Sequence, residues 1–479
     1  MDTSVAAASS APSNGTSKPL DILSKKITSR EAVIGVIGLG YVGLPLAAAY
    51  AGAGFTTIGF DVDNERTTHL NNGGNYIEDV DSEKLRQATE DGRFRAECGF
   101  DALREADVVY ICVPTPVTEY KDPDTTYIEA AATSIAEHLR PSQLVILKST
   151  TYPGTTEDLV QPILDEAARE QGLQVGTDYF LAFSPERIDP GNEKYTTSNT
   201  PVVVGGLTPS CQRVATEALK QIVEHVHEVS SPKVAEMEKL LENIFRNVNI
   251  ALVNELAQLC DRLGDVSVWE VIEAAATKPF GFMPFYPGPG LGGHCIPVDP
   301  HYLSWMAREH DFETSFITLS ARVNEEMPFY VVQAVVQAIA EEPVRLQDAR
   351  VLILGAAFKK NVGDTRHSPA YKIIEILEEK GIQHIDYSDP HVSTLQVELG
   401  AGEARKMESV DLSPERLADY DVAVIVTDHD AFSYEMIVEH TARIVDARNA
   451  LPDSAQDRPN VVLLGGGNHT VRARHEAAN

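Results

Sequence analysis

The sequence predicts an α/β protein made of two Rossmann-like, doubly wound domains joined by a central helical module with one long helix. Three observations carry this. From about Val33, short β-rich apolar runs alternate with amphipathic stretches, as in a mostly parallel sheet covered on both faces. A second series of the same kind begins at ARVLILGAAF. Between the two, from Pro232 to Gly264, there is hardly a turn signal, and apolar residues recur at helical spacing.

The elements follow in order. The start of the chain is rich in Ala and Ser but has no apolar core long enough for a signal peptide, so residues 1–28 are read as a disordered tail. Residues 29–231 form the first α/β domain, with strands expected at VIGVIG, TTIGFDVD, VVYICVP, LVILKST, YFLAFSPE and PVVVGG. Residues 232–340 form the helical module. Its first helix carries Met237, Leu240, Leu241, Ile244, Phe245, Val248, Leu252, Leu256 and Leu259, and is long enough to bridge domains and to pair with its copy in a dimer. The same module holds one Gly/Pro-rich loop, PFGFMPFYPGPGLGGHCIPVDP. Residues 341–479 form the second α/β domain, continuing through IQHIDYSDP, VAVIVTDHD, RIVDARN and VVLLGGG.

A chain of 479 residues is long enough for two or three such domains. Its formal net charge of −31 repels a polyanion and argues against a nucleic-acid partner, although a small anion can still bind where a few cations and backbone N–H groups converge. Salt adaptation and plain solvation explain the acidic excess equally well. The cysteines, Cys98, Cys112, Cys211, Cys260 and Cys295, are scattered without metal-ligand spacing. They suggest no disulfide framework, no metal and a reducing compartment. No run approaches the length of a membrane span, so the expectation is a cytoplasmic protein without a membrane partner.

The chemistry-bearing motifs begin with GLGYVG. Gly38, Gly40 and Gly43 follow a strand and precede a helical run, which suits a tight turn, an approaching pyrophosphate and close helix–strand packing. Tyr41 and Val42 complete the turn, and the helix N-terminus would face the phosphates. Asp61 ends the second strand, where a carboxylate can accept from ribose hydroxyls. Its charge favours NAD over NADP. Arg66 is open to two roles, accepting a 2′-phosphate or covering the adenine face.

Cys295 sits beside His294 in the Gly/Pro-rich loop, and Asp299 follows. A thiol beside an imidazole is drawn toward thiolate, the form that attacks carbonyl carbon. Most free cysteines are small buried hydrophobes, and the residues alone leave both readings open. Lys239 and Asn243, with Glu236 one turn earlier, share one helix face. They could stabilise an oxyanion or simply be solvated polarity. Further groups stand where strands end: Thr115 in CVPTP, Thr150 in KSTTYPGTT, and Glu186, Arg187 and Asp189 in FSPERIDPGN. A carboxylate there either holds a water or caps a turn.

Taken together, GLGYVGLPLA, CVPTP, KSTTYPGTT, FSPER, the Glu236–Lys239–Asn243 helix, GGHCIPVDP and GAAFKKNVGDTRHSP resemble the UDP-glucose/GDP-mannose dehydrogenase family in order, over residues 30–465. The resemblance implies an NAD-dependent, four-electron oxidation of the C6 alcohol of a UDP-sugar to a carboxylate. Hydride leaves the alcohol for NAD, Cys295 captures the aldehyde as a thiohemiacetal, a second hydride transfer gives a thioester, and water hydrolyses it. By the same resemblance Lys239 and Asn243 stabilise the oxyanions, while Asp299 and Thr150 organise the water. Glu186 belongs to thioester hydrolysis. Thr115 and Thr150 also border the cofactor, and Arg187 and Gly292 border the substrate. The C-terminal domain would hold uridine and diphosphate with Lys359, Arg366 and Arg448. Arg322 resembles a substrate-site residue, and the central helices resemble a dimer interface.

The UDP-glucose branch has a second acid four residues beyond Glu186, where this chain has Pro190. SPERIDPGN and KPFGFMPFYPGPGLGGHCIP resemble the UDP-N-acetylhexosamine branch instead. UDP-N-acetylglucosamine is therefore the favoured substrate, ahead of the galactosamine and mannosamine analogues and UDP-glucose, with the product feeding glycan precursor synthesis. Two rivals are a single-step reductase of the 6-phosphogluconate or β-hydroxyacid type, which leaves Cys295 idle, and a nucleotide-sugar or NAD-binding protein without turnover.

Overall fold

The computed structural model describes residues 18–77, 79–118, 120–187, 194–294, 296–399, 403–456 and 458–467. Cys295, Asp189 and Pro190 lie outside the described residues. The chain forms two compact units, one of residues up to Thr115 plus Asp124–Met237, the other of Pro116–Pro123 plus Glu238 onward.

The first unit is built on an eight-stranded sheet. Its strands are β1 (Val33–Ile37), β2 (Thr56–Phe60), β3 (Phe94–Glu97), β4 (Val108–Ile111), β5 (Gln143–Leu147), β6 (Tyr179–Phe183), β7 (Val202–Gly206) and β8 (Val226–Val229). The order is β3-β2-β1-β4-β5-β6-β7-β8, parallel except where β7 runs against β6. The runs VVYI, QLVIL and YFLAF are buried throughout because helices cover both faces. Side chains alternate between two cores, with Val108 and Tyr110 in one and Val109 and Ile111 in the other.

Residues 18–28, read from sequence as part of a tail, are ordered instead. Helix Pro19–Ser29 buries Leu23 and Ile27, a pair one turn apart. A single apolar pair flanked by lysines is too weak a periodicity to announce such a helix.

In the second unit, five parallel strands lie in the order β10-β9-β13-β14-β15. They are β9 (Arg350–Leu354), β10 (His384–Ser388), β13 (Val422–Ile425), β14 (Arg443–Asp446) and β15 (Val461–Leu463), and β11 (Thr394–Leu399) and β12 (Glu403–Glu408) form a separate antiparallel hairpin. Helix Ser315–Ala340 packs Met327, Val331, Val335 and Ala338 into one core with Ile373, Ile374 and Leu377 of helix Pro369–Glu379. The helical region and the second sheet are thus one compact body. Helix Pro232–Leu263 begins in the first unit and continues in the second, the division falling after Met237. Each sheet reverses its winding once, between β1 and β4 and between β9 and β13, and ligands of open α/β sheets bind at such points beside the carboxyl ends of the strands.

Candidate active site

At the β1/β4 reversal the glycine turn is sterically obligatory. Gly38 has φ +89°, and a Cβ there would lie 2.6 Å from the Cys112 carbonyl oxygen. A Cβ on Gly43 would lie 1.8 Å from the Gly38 carbonyl oxygen, whereas one on Gly40 would meet nothing within 4 Å. Gly38 and Gly43 therefore hold the turn closed and Gly40 leaves its face open to a ligand, which fits a dinucleotide. Gly43 opens helix Gly43–Gly52, with Val42 just before it and Tyr41 partly exposed. Asp61 is buried, its carboxylate accepting from the Leu39 N–H and the Asp63 N–H, both at 3.0 Å. Arg66 lies 3.8 Å from that carboxylate and 5.8 Å from the centre of the Tyr76 ring. That placement turns the guanidinium toward the Asp61 charge.

Along the same sheet edge, Thr115 is buried and Thr150 half-buried. Glu186 follows β6, and its Oε2 lies 3.0 Å from the Lys148 Nζ, which is buried at the end of β5. Arg187 donates from Nη1 to the Pro201 carbonyl at 3.0 Å. Glu236, near the start of the long helix, is fully buried and grips the 154–156 turn. It accepts from the Gly154 N–H (2.5 Å), the Thr156 N–H (2.9 Å) and the Thr156 hydroxyl (2.7 Å). Burial still holds its carboxyl above the usual range. Glu236 thus serves the turn that follows Thr150.

In the second unit Lys239, Asn243 and Asp299 are buried together. Asn243 Nδ2 donates to Asp299 Oδ2 at 2.5 Å. Burial pushes the Asp299 carboxyl up to about 6, with the Lys239 charge and the Asn243 hydrogen bond pulling the other way. A ladder of asparagines supports the loop around this cluster. Asn247 Nδ2 donates to the Ile296 carbonyl (3.1 Å), Asn324 Nδ2 to the Asn247 carbonyl (3.0 Å), and Asn254 Nδ2 to Asn324 Oδ1 (2.9 Å). Asn254 Oδ1 accepts from the Gly288 N–H at 3.0 Å. His294 is held below the usual imidazole range by burial and by Arg366 and His367, so it favours the neutral form. A neutral imidazole brings no positive charge to favour a thiolate at the next residue.

The expected nucleotide residues stand where β9 and β14 end. Lys359 and Arg366 lie in the loop after β9 and Arg448 in the loop after β14. Arg366 is clamped to Asp364 through Nε and Nη2, and Arg448 Nε lies 3.2 Å from Asp428. Gly292 and Gly288 bring the Gly/Pro-rich loop against this end. A Cβ on Gly292 would lie 2.4 Å from the Phe358 Cβ, one on Gly288 would lie 2.8 Å from Arg448 Nη1, and the Gly293 N–H donates to the Arg366 carbonyl at 2.9 Å. Arg322 is different: it is 70% exposed, with Nε 3.8 Å from Glu326.

Sequence reasoning missed Lys148, Asn247, Asn254 and Asn324. Lys148 had a signal, a lone cation closing the apolar run LVIL. The asparagines had a fainter one, poor helix formers recurring inside a long helix.

Three family models cover the chain in order: the UDP-glucose/GDP-mannose dehydrogenase family NAD binding domain over residues 32–227, its central domain over 233–326 and its UDP binding domain over 352–453. The chain is 38% identical over 365 residues to UDP-N-acetyl-D-glucosamine 6-dehydrogenase of Pseudomonas aeruginosa, spanning 76% of this chain and 84% of that protein. It is 35% identical over 409 residues to UDP-N-acetyl-D-mannosamine dehydrogenase of Escherichia coli, spanning 84% and 94%. The solved UDP-D-ManNAc dehydrogenase of Pyrococcus horikoshii superposes with a TM-score of 0.80 at 30% identity, covering 91% of this chain and all of that one. The chain belongs to the UDP-glucose/GDP-mannose dehydrogenase family and is an NAD-dependent nucleotide-sugar dehydrogenase with the family's NAD-binding and UDP-binding domains.

Proposed function

We propose that this family member oxidises the C6 alcohol of a UDP-N-acetylhexosamine, UDP-N-acetylglucosamine foremost, to the uronate. The observation that carries the chemistry is the buried Lys239–Asn243–Asp299 cluster, four residues along the chain from Cys295 at its nearest. The acetamido preference is supported by Pro190 standing where the UDP-glucose branch has an acid, and by relatives named for acetamido sugars.

The overall change is one alcohol, two NAD and one water to one carboxylate, two NADH and three protons. NAD, when bound, supplies the hydride acceptor for each oxidation. The glycine turn and Asp61 orient it by its pyrophosphate and ribose, with Thr115 at the border. The Cys295 sulfur adds to the aldehyde carbon and holds it through the second oxidation as a thioester. Lys239 and Asn243 donate to the oxygen that carries negative charge when sulfur or water adds. Asp299 takes the proton of the attacking water, with Thr150 and Glu186 orienting that water; a buried carboxyl near 6 suits a base working around neutrality. Lys359, Arg366 and Arg448 hold the nucleotide, Arg366 sharing its guanidinium with Asp364. Arg187, Gly292 and Arg322 border the sugar.

Pairing of two copies along the long helix is part of the same reading. Met237, Leu241, Phe245, Leu252 and Leu259 leave an apolar stripe exposed on it, and exposed stripes of this kind mark association surfaces. Leu241→Glu should lower the mass seen by sedimentation, and an unchanged mass would exclude that face.

The deciding experiment offers NAD with each UDP-hexose and UDP-N-acetylhexosamine, following NADH and product mass. Two NADH per sugar, with the highest kcat/KM for UDP-N-acetylglucosamine, is expected. One NADH per sugar rejects the covalent scheme, and a preference for UDP-glucose or the mannosamine analogue rejects the substrate assignment. Cys295→Ser should abolish acid formation while leaving binding of both ligands; near-normal turnover would contradict it.

A further inference from the structure

We propose that Lys148 is a positioning residue for thioester hydrolysis, fixing the Glu186 carboxylate in one orientation; this rests on the role proposed for Glu186. Lys148 directly follows β5, where the apolar run QLVIL gives way to the turn, and its side chain is only 2% exposed. An ammonium so buried is expensive unless it is paired and hydrogen-bonded. Its Nζ lies 3.0 Å from Glu186 Oε2 and donates to the Pro185 carbonyl at 3.3 Å. The other carboxylate oxygen, Oε1, accepts from the Arg187 N–H at 2.8 Å.

Both oxygens of Glu186 are therefore tied, one by the side chain just after β5 and one by the backbone beyond its own strand. The Lys148 end of the pair is enclosed while the Glu186 side chain keeps 15% of its surface open, and the neighbouring Cys112 thiol, just past β4, is pushed up to about 12 mainly by burial, against the pull of Lys148. A carboxylate tied at both oxygens keeps one orientation.

The step concerned is explicit. Water oxygen bonds to the thioester carbon, the carbon–sulfur bond breaks, Cys295 regains its thiolate, and the water proton passes to a base, the role proposed for Asp299. A carboxylate clamped by an ammonium is a poor base but a good acceptor, so Glu186 holds the water's other hydrogen and aims its lone pair. Without Lys148 the carboxylate would turn, and hydrolysis alone would suffer.

The test compares Lys148→Met, Lys148→Arg and Glu186→Gln in the full-length enzyme, using stopped-flow NADH detection and intact-protein mass after rapid quench. For Lys148→Met the expected result is a burst of two NADH per active site, then turnover about 100-fold slower, with the acyl adduct on Cys295 visible by mass. Lys148→Arg should restore much of the turnover, and KM for NAD should not change. Wild-type turnover in Lys148→Met overturns the proposal, as does equal slowing of the first hydride transfer, which marks a general structural role. If Lys148→Met does not fold, Lys148→Gln, which keeps a donor without its charge, is read in the same way. Accumulation of the adduct in Glu186→Gln but not in the Lys148 variants rejects only the Lys148 role. Absence of accumulation in Glu186→Gln rejects the reading of Glu186 itself.

Discussion

Asp299 shows how one environment prepares one residue. Burial raises its carboxyl from 3.8 to about 6, and Lys239 and Asn243 limit the rise. The rate of acid formation should therefore climb with pH through about 6, because the ionised form is the base. Asp299→Asn should remove that limb and lower kcat by about 100-fold or more, as read from a pH–rate profile. A limb that survives in the variant would assign it to another group. Stability runs the opposite way. A carboxyl whose folded pKa lies above its unfolded one stabilises the fold fully below pH 4 and loses that contribution as pH rises through 6. Asp61→Asn yields a second test at this scale: it removes the charge and leaves one acceptor oxygen where the Leu39 and Asp63 N–H groups each use their own, so NAD should bind more weakly and NADP relatively better. Equal NAD affinity in the variant would displace the ribose from that position. Asp61 and the glycines were legible in the sequence because their meaning lies in local spacing. The roles of Lys148 and Asn247 were not, whatever signal their residue types carried, because their partners, Glu186 and Ile296, stand 38 and 49 positions away.

At the scale of elements, the strands that could be read were those buried on both faces, such as β4, β5 and β6, whose apolar runs need no context. Short strands such as β3 (FRAE) and β8 (VHEV), and the hairpin β11–β12, were not legible, since alternation over so few residues among charged ones is not distinctive without the neighbouring strand. The long helix was legible as a helix, but its inventory of asparagines was not. Asn324 both donates to Asn247 and accepts from Asn254, so truncating it strands two buried amides. Asn324→Ala should cost about 2–4 kcal/mol in urea-induced unfolding of the second unit and lower kcat without weakening NAD. A variant as stable as the parent would mean that the ladder does not support the loop.

For the whole molecule, the charge of −31 is the dominant property beyond the sites. Like charges repel in the compact state, and salt shortens the reach of that repulsion from about 30 Å at 0.01 M to about 3 Å at 1 M. Raising KCl across that range should lift Tm by about 5 °C or more, the shift that ~2 kcal/mol produces in units of this size. A flat or falling Tm would show that the acidic residues are already neutralised by their partners. Among the described residues no helix is long and apolar enough to cross a membrane. The contacts of Gly288, Gly292 and Gly293 with Arg448, Phe358 and the Arg366 carbonyl bear on protein engineering. A chimera that grafts the C-terminal third of a relative, in the hope of changing the sugar accepted, would also replace the surface against which the thiol-bearing segment is moulded. Such a graft succeeds only when the segment and its backing travel as one cassette.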